Sequence, residues 1–377
     1  MRGRTIDGSD LFHTFNLEDM VPAVHPLRLI KQRADAILRS MSRQFNESYG
    51  HTGRPSVPPE RLIKAMVLQA LYSIRSERQL CEQIQYNMLF RWFCDMTPSE
   101  AVWTPEAFSV NRERFDVYGL PRAFFDRVVR EAALEGLVSD EHFSVDGTLI
   151  QSWASQKSLR PIGTKDQRVS DSSDDDDPGN PTVNFQNEKR SNATHRSLTD
   201  PEARLARKGK GKPAILSHSG HVLMEHRSGL CVDIRVDVAD GQAERRQAMQ
   251  MIRHARRRQN LEVTTLGADA GYDDGNFLGA LEESDITPHV AIREGNMVAE
   301  DAAGQARRRA RRRMETIAYA ISQRLRKRAE EIIGWCKTIG GLMRARFVGR
   351  WKIQMQCEIT GAAYNLLRMS RLLATTS

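Results

Sequence analysis

The feature that most constrains this chain is a change in the spacing of its apolar residues near residue 138. Before that point apolar residues recur at steps of three and four, and after it they gather into short runs that alternate or are continuously apolar. The first spacing is that of helices and the second that of strands. The chain therefore reads as a helical part followed by a mixed α/β part. In "GRPSVPPERLIKAMVLQALYSIRSERQLCEQIQYNMLFRWFCDM", Ile63, Met66, Val67, Ala70, Leu71 and Ile74 mark one helix face, and Pro58 and Pro59 suit its start. Ser76 with Gln79 has capping-box spacing for a second helix carrying Leu80, Ile84 and Met88. Two helices joined this closely admit a helix-turn-helix, and equally a plain helical bundle. Further helical stretches, "EAFSVNRERF" and "PRAFFDRVVREAALEGL", lead to the transition.

Beyond it, His142 to Ile150 in "FSVDGTLIQSWAS" reads as a strand. A polar region from about 155 to 213 follows, and its acidic run "SDSSDDDDPGNPTVNF" has the composition of a solvated loop rather than a metal site. "KPAILSHSGHVLMEHRSGLCVDIRVDV" gives two strands around a turn at Arg227, Ser228 and Gly229. A helix from about Gln242 to Arg257, the strand "LEVTTLGADA", a helix from about Asp274 to Glu283 and the strand "ITPHVAI" complete the series. This order predicts a mixed α/β fold with a central sheet and ligands at the strand ends. Asp146 and Asp269 take equivalent places in two of these strands, each beside a glycine or other small residue. If the strands are neighbours the two carboxylates converge, and a hard cation such as Mg²⁺ or Mn²⁺ is what lets them do so.

Charge narrows the partner. The 377 residues carry a formal +8, but residues 301 to 377 hold 17 Lys or Arg against 5 Asp or Glu, which leaves the rest slightly acidic. A basic end on a near-neutral body points to nucleic acid rather than to a membrane surface. "MRGRTIDGSD" has no apolar signal core and no stretch reaches the length of a membrane span, so the expected location is the cytoplasm. The five cysteines are scattered without metal-site spacing. His218, His221 and His226 find no Cys or carboxylate nearby to complete a tetrahedral set, and read as exposed strand residues. In "YAISQRLRKRAEEIIGWCKTIGG", Gln323, Arg326, Glu330 and Lys337 fall within a stripe of about 60° on one continuous helix, with Ile321, Leu325, Ile332, Ile333 and Cys336 on a separate apolar face. Ordinary helix-surface ion pairing accounts for Arg326 with Glu330 but has no need of Lys337.

"FSVDGTLIQSWASQKSLRP", "NEKRSNATHRSLTDPEARLARKGKGK", "GADAGYD", "RKRAEEIIGWCKTIGGLMRARFVG" and "AAYNLLRM" together resemble the DDE transposases of bacterial insertion sequences, in the insertion sequence 5 group, over nearly the whole chain. The resemblance implies a ribonuclease-H-like catalytic domain at 138–377, interrupted by the polar insertion at about 155–213. It also implies a helical N-terminal domain at 1–137 that binds DNA ends. It assigns the acidic triad to Asp146, Asp269 and Glu330, preferring Glu330 over Glu331 because Arg326, Glu330 and Lys337 keep the spacing of the family's Tyr-Arg-Glu-Lys signature. The activity so implied is cleavage of an element's ends and strand transfer into target DNA, with two Mg²⁺ or Mn²⁺ ions held by the triad and a homodimer on double-stranded DNA. A metal-dependent nuclease without joining and an inactive DNA-binding remnant are the alternatives. Arg326 and Lys337 are assigned to flanking phosphates, and Lys189, Arg190, His195, Arg207, Lys208, Lys210 and Lys212 form a second backbone-binding strip. The sequence departs from the family pattern twice. Gln323 replaces the signature Tyr, and "REGNMVAEDAAGQARRRARRRMETIA" is unlike the usual linker, which fits either a compensated frameshift or an added DNA grip at Arg307 to Arg313.

Overall fold

The computed structural model describes residues 16–374 apart from 51, 54, 163–183, 186–187, 209–211 and 294–299. Its N-terminal part is all helix: α1 (Leu17–Met20), α2 (Pro26–Ser40), α3 (Ser42–Ser48), α4 (Pro59–Leu71), α5 (Glu77–Tyr86), α6 (Met88–Phe93), α7 (Glu106–Val117) and α8 (Leu120–Leu134). The local signals work as read. Pro59 occupies the first turn of α4, where its missing N–H costs nothing, and Ser76 Oγ accepts the Gln79 N–H at 3.1 Å to cap α5. Leu62, Ile63, Val67 and Leu68 bury the inner face of α4. Lys64 is buried with them and is held by Asp35 and Asp95, since a buried ammonium needs carboxylate partners.

The chain then builds its sheet. Strand β1 (His142–Gln151) is followed by short strands of the polar insertion, β2 (Leu159–Pro161), β3 (Asn184–Phe185), β4 (Glu188–Lys189), β5 (His195–Ser197) and β6 (Arg204–Ala206). Next come β7 (Ile215–Glu225), β8 (Cys231–Val238), α9 (Ala243–Arg258), β9 (Thr265–Ala268), α10 (Gly275–Glu282) and β10 (Thr287–Val290). The acidic run at 174–177 lies outside the described residues. The central order is β10-β9-β1-β7, with β6 and β8 both along the far edge of β7. β7 runs antiparallel to β1, while β9 and β10 run parallel to it on the other side. A hairpin of long strands, then a helix crossing to strands on the opposite side of the first, is the ribonuclease-H-like arrangement. The β7–β8 turn falls at the expected place, with Gly229 at φ 67°, a conformation glycine adopts without strain.

Four helices close the chain: α11 (Ala302–Arg313), α12 (Ile317–Arg326), α13 (Arg328–Thr338) and α14 (Arg350–Ala374). α14 is buried along much of its length and packs on α8, α4 and α2 as well as on β8. It also closes the sheet edge. Gln354 accepts the Val236 N–H and donates to the Ile234 carbonyl, and Asn365 does the same for both groups of Cys231. Side-chain amides here supply the partners a missing strand would have given. The helical part and the sheet thus share one apolar core across the 135–141 connection. Among the described residues no helix is long and apolar enough to cross a membrane.

Two expectations need correction. His218 and His221 are buried because β7 lies inside the sheet with both faces covered, and His226, just beyond its end, is buried too. His218 Nε2 meets Asp200 at 2.9 Å, and His226 hydrogen-bonds Ser144. The expected single helix around Glu330 is divided at Lys327 into α12 and α13. Ile321 is 54% exposed instead of joining Ile332 and Cys336 in the core, and the buried residue of α12 is Ser322.

Candidate active site

The parallel pairing of β1 with β9 ends at Ser144 opposite Gly267. Asp146 and Asp269 each lie two residues further along their own strand direction, so they sit side by side on the same face. Asp146 is not at a strand end, as β1 continues to Gln151 against β7. It stands where β9 turns away and leaves β1 with a free edge. There Asp269 becomes the cap of a short helical turn and accepts the Gly271 N–H at 2.8 Å, while Asp146 accepts the Gly147 N–H at 2.8 Å.

The charge of Asp146 is held at a cost. Burial raises its pKa, Asp269 and Glu330 raise it further, and the Gly147 N–H and Arg326 act in the opposite direction. Glu330 thus lies close enough to act on Asp146, from the first turn of α13. Glu331 acts instead on Tyr364 in the C-terminal helix, which favours Glu330 as the third carboxylate. Gln323 takes over a structural role at the substituted signature position. Its amide donates to the carbonyls of Ala268 at 3.1 Å and His289 at 2.6 Å, pinning α12 to the ends of β9 and β10. A phenol has one O–H and could not make this two-armed donor bridge. Arg326, one turn on, meets Gln323 Oε1 at 3.3 Å. Close approach of α12 depends on Gly267, where a Cβ would stand 2.9 Å from Ser322 Oγ.

Two groups near these carboxylates carry no sequence signal that marks them. Glu244, in the first turn of α9, is pushed up by burial and then by Asp269 and Asp146. An acidic residue in a first helical turn ordinarily just complements the helix dipole. Tyr272 is 1% exposed, its hydroxyl has no partner among the described residues, and its pKa is raised well above the usual range by burial and then by Glu244, Asp146 and Asp269.

The predicted cationic residues divide. Lys337 lies two turns beyond Glu330, half buried, with its pKa lowered by burial and then by Lys208. Neither lysine has a carboxylate partner among the described residues. Arg207, Lys208 and Lys212 are exposed. Arg190 is partly buried and donates to the Gln156 carbonyl. His195 is a correction: it is buried, with Nδ1 2.9 Å from Thr194 Oγ1, and helps to form the small β2–β5 sheet instead of facing solvent. Lys210 and the side chain of Lys189 lie outside the described residues. In the Arg-rich run, Arg307 pairs with Asp273 and both Arg309 and Arg313 pair with Glu282, while Arg308, Arg311 and Arg312 are exposed.

The donor set around Asp146 is entirely carboxylate oxygen, with no thiol or imidazole, which suits a hard divalent ion. Among the described residues no three His, Cys, Asp or Glu side chains stand close enough to hold one ion as they are. Asp146 and Asp269 are each turned onto a backbone N–H, the resting place of carboxylates that repel one another without a cation. Their register, burial and mutual field nonetheless fit such an ion.

A model described as Transposase domain (DUF772) matches residues 15–114, and one described as Transposase DDE domain matches residues 188–366. The second includes Asp269 and Glu330, whereas Asp146 lies between the two matches. No curated protein is significantly similar to the chain. A solved structure described as the Mos1 transposase paired-end complex with left transposon end aligns over 73% of this chain and 82% of that one, at 11% identity and a TM-score of 0.20, a likeness too slight to define the fold.

Proposed function

The chain belongs to the DDE transposases, a family of DNA-cleaving and strand-transferring enzymes that works with divalent metal ions, and from that premise we propose that Asp146, Asp269 and Glu330 form its catalytic centre. The observation that supports the assignment is the register of β1 and β9, which puts Asp146 and Asp269 at equal distances beyond their last paired residues, with Glu330 on α13 near enough to raise the pKa of Asp146. We assign the metal as Mg²⁺, with Mn²⁺ as its substitute, and the DNA as the terminal inverted repeats of an insertion sequence and its target. The insertion sequence 5 group remains the proposed affiliation, and a homodimer on paired DNA ends the proposed assembly.

Divalent ions bound at such a centre stabilise the entering and leaving oxygens of an in-line displacement at phosphorus. The chain's own part is to hold three carboxylates on rigid elements, two on adjoining strands and one on a helix pinned to those strands by Gln323. Arg326 sets a positive charge at the edge of the centre, where a phosphate of the bound strand would lie. Lys337 and Lys208 are two cations close together without an anion among the described residues, which suits a second phosphate further along α13. Arg207 and Lys212 extend that strip. The helical part, 1–137, is proposed to bind the element ends. Helix α11 favours a working enzyme over a remnant, since this part of the unusual stretch is packed on α10 and anchored through Asp273 and Glu282.

The test is Mg²⁺-dependent cleavage and joining of labelled DNA carrying the element's own ends, with wild type beside Asp146→Ala. Joined products that vanish in the variant are the expected result. Cutting without joining would establish a nuclease, and binding without chemistry a remnant.

A further inference from the structure

Each of the two catalytic aspartates is followed within two residues by a glycine, Gly147 and Gly271. Neither has a positive φ, so backbone conformation does not demand glycine at either position. Space does. A Cβ at Gly147 would stand 3.0 Å from Glu244 Oε1 and 3.3 Å from its Cγ, and a Cβ at Gly271 would stand 3.1 Å from Glu244 Oε2 and 2.9 Å from Asp269 Oδ1. The Glu244 carboxylate therefore borders the room left by both missing side chains, sharing that at Gly271 with Asp269.

A glutamate serving only the dipole of its helix would face water, and the first turn of α9 offers that course. Glu244 instead reaches across the strand ends and lies over β1 and the turn after β9, with no hydrogen bond or ion pair to either oxygen among the described residues. A partly buried carboxylate without a donor, beside two other carboxylates, is an unfavourable arrangement unless a cation joins it. The hydroxyl of Tyr272, fully enclosed and also without a partner among the described residues, belongs to the turn that this carboxylate touches.

We propose that Glu244 is a fourth carboxylate of the metal centre, entering from α9, and that Gly147 and Gly271 are bare in order to admit it. The proposal rests on the assignment of Asp146 and Asp269 as metal ligands. It gives a reason for the glycines in "VDGT" and "ADAGYD" that a centre of three carboxylates does not supply. It also ties the crossover helix to the chemistry, since the end of α9 that leaves the β7–β8 hairpin is the end that presents Glu244.

The experiment is calorimetric titration of Mn²⁺ into the metal-free full chain without DNA, comparing wild type, Glu244→Gln, Glu244→Asp and Asp146→Asn, with melting curves to confirm that each is folded. Glu244→Gln keeps the shape and removes the charge, and Glu244→Asp keeps the charge while withdrawing it by one methylene. The expected result is Mn²⁺ affinity at least tenfold weaker in Glu244→Gln and intermediate in Glu244→Asp, with Asp146→Asn also weak. Gly147→Ala, which displaces the Glu244 carboxylate, should weaken Mn²⁺ binding in the same direction. Wild-type affinity in Glu244→Gln alongside loss in Asp146→Asn would overturn the role of Glu244 and leave the three-carboxylate centre standing. Wild-type affinity in both would overturn the assignment on which it rests.

Discussion

His221 is buried in the middle of β7 with neither ring nitrogen hydrogen-bonded among the described residues, and burial depresses its pKa to about 4. A histidine kept neutral in the fold but free to protonate when unfolded stabilises the native state above its ordinary pKa. That contribution is lost as pH falls through the window from about 6.5 to about 4. The metal-free protein should therefore lose about 2 kcal/mol from this residue between pH 7.5 and pH 5. Denaturant melts at the two pH values check the expectation, and His221→Leu should shrink the difference by that order. The sequence did not reveal this burial, because histidine spacing says nothing about how many strands will cover β7. Asp146 and Asp269 were legible for the opposite reason. Each lies two residues beyond its strand's last residue in the β1–β9 pairing, and parallel pairing turns equal offsets into adjacency. Glu244 shares their neighbourhood but not their signal, since a glutamate opening a helix is an ordinary occurrence.

Element positions depend on a few contacts that can be removed singly. Gln323→Ala would strip the Ala268 and His289 carbonyls of their donor and unpin α12 from the sheet. Leaving partly buried acceptors unmet costs about 1–3 kcal/mol. Strand cleavage should fall more steeply than stability, because Arg326 and Glu330 follow that clip along the chain. Single-turnover rates beside melting curves separate the two effects. Helix α11 meets α10 so closely at Gly275 that a Cβ there would lie 2.5 Å from the Ala303 carbonyl oxygen. Gly275→Val should destabilise by about 1–3 kcal/mol through forced separation of the helices. By contrast, converting exposed Arg308, Arg311 and Arg312 to Glu should leave the melting temperature nearly unchanged. If α11 grips DNA, it will weaken binding and flatten its salt dependence; filter binding across a salt series reads this directly. The helical nature of both segments was legible from spacing, and the interruption at Lys327 was not. Helical periodicity continues through Lys327, and it is the docking of α12 on β9 and α13 on β1 and β7 that divides them.

At the scale of the whole molecule, helical part and sheet were separable in sequence by their apolar period, but their joining was not, because it is made by the last helix returning to the first ones. Arg122 shows how tight the joining is. From α8 it holds Asp233 on β8 and Glu358 on α14, and donates to the Ile234 carbonyl. Asp233 is fully buried; burial raises its pKa, yet Arg122 and Arg235 outweigh that and keep it below the usual range. Removing one member of such a group leaves buried charge uncompensated, at about 3–5 kcal/mol. Arg122→Met should thus lower stability by that order, read in a urea melt, although the methionine retains much of the apolar stem. The same architecture predicts that residues 1–137 alone will not form a stable fold. Phe125 on α8 faces Gly361 of α14 so closely that a Cβ at 361 would stand 2.8 Å from its ring, and the packing of α2, α4 and α7 also uses α14. Without that helix their apolar faces are open to water, at about 25 cal/mol per Å² of lost burial. Expressed alone, the segment should show weak, non-cooperative thermal unfolding by circular dichroism. A fusion that returns residues 350–374 should restore a cooperative transition, and a cooperative transition in the isolated segment would mean that the N-terminal helices hold a core of their own.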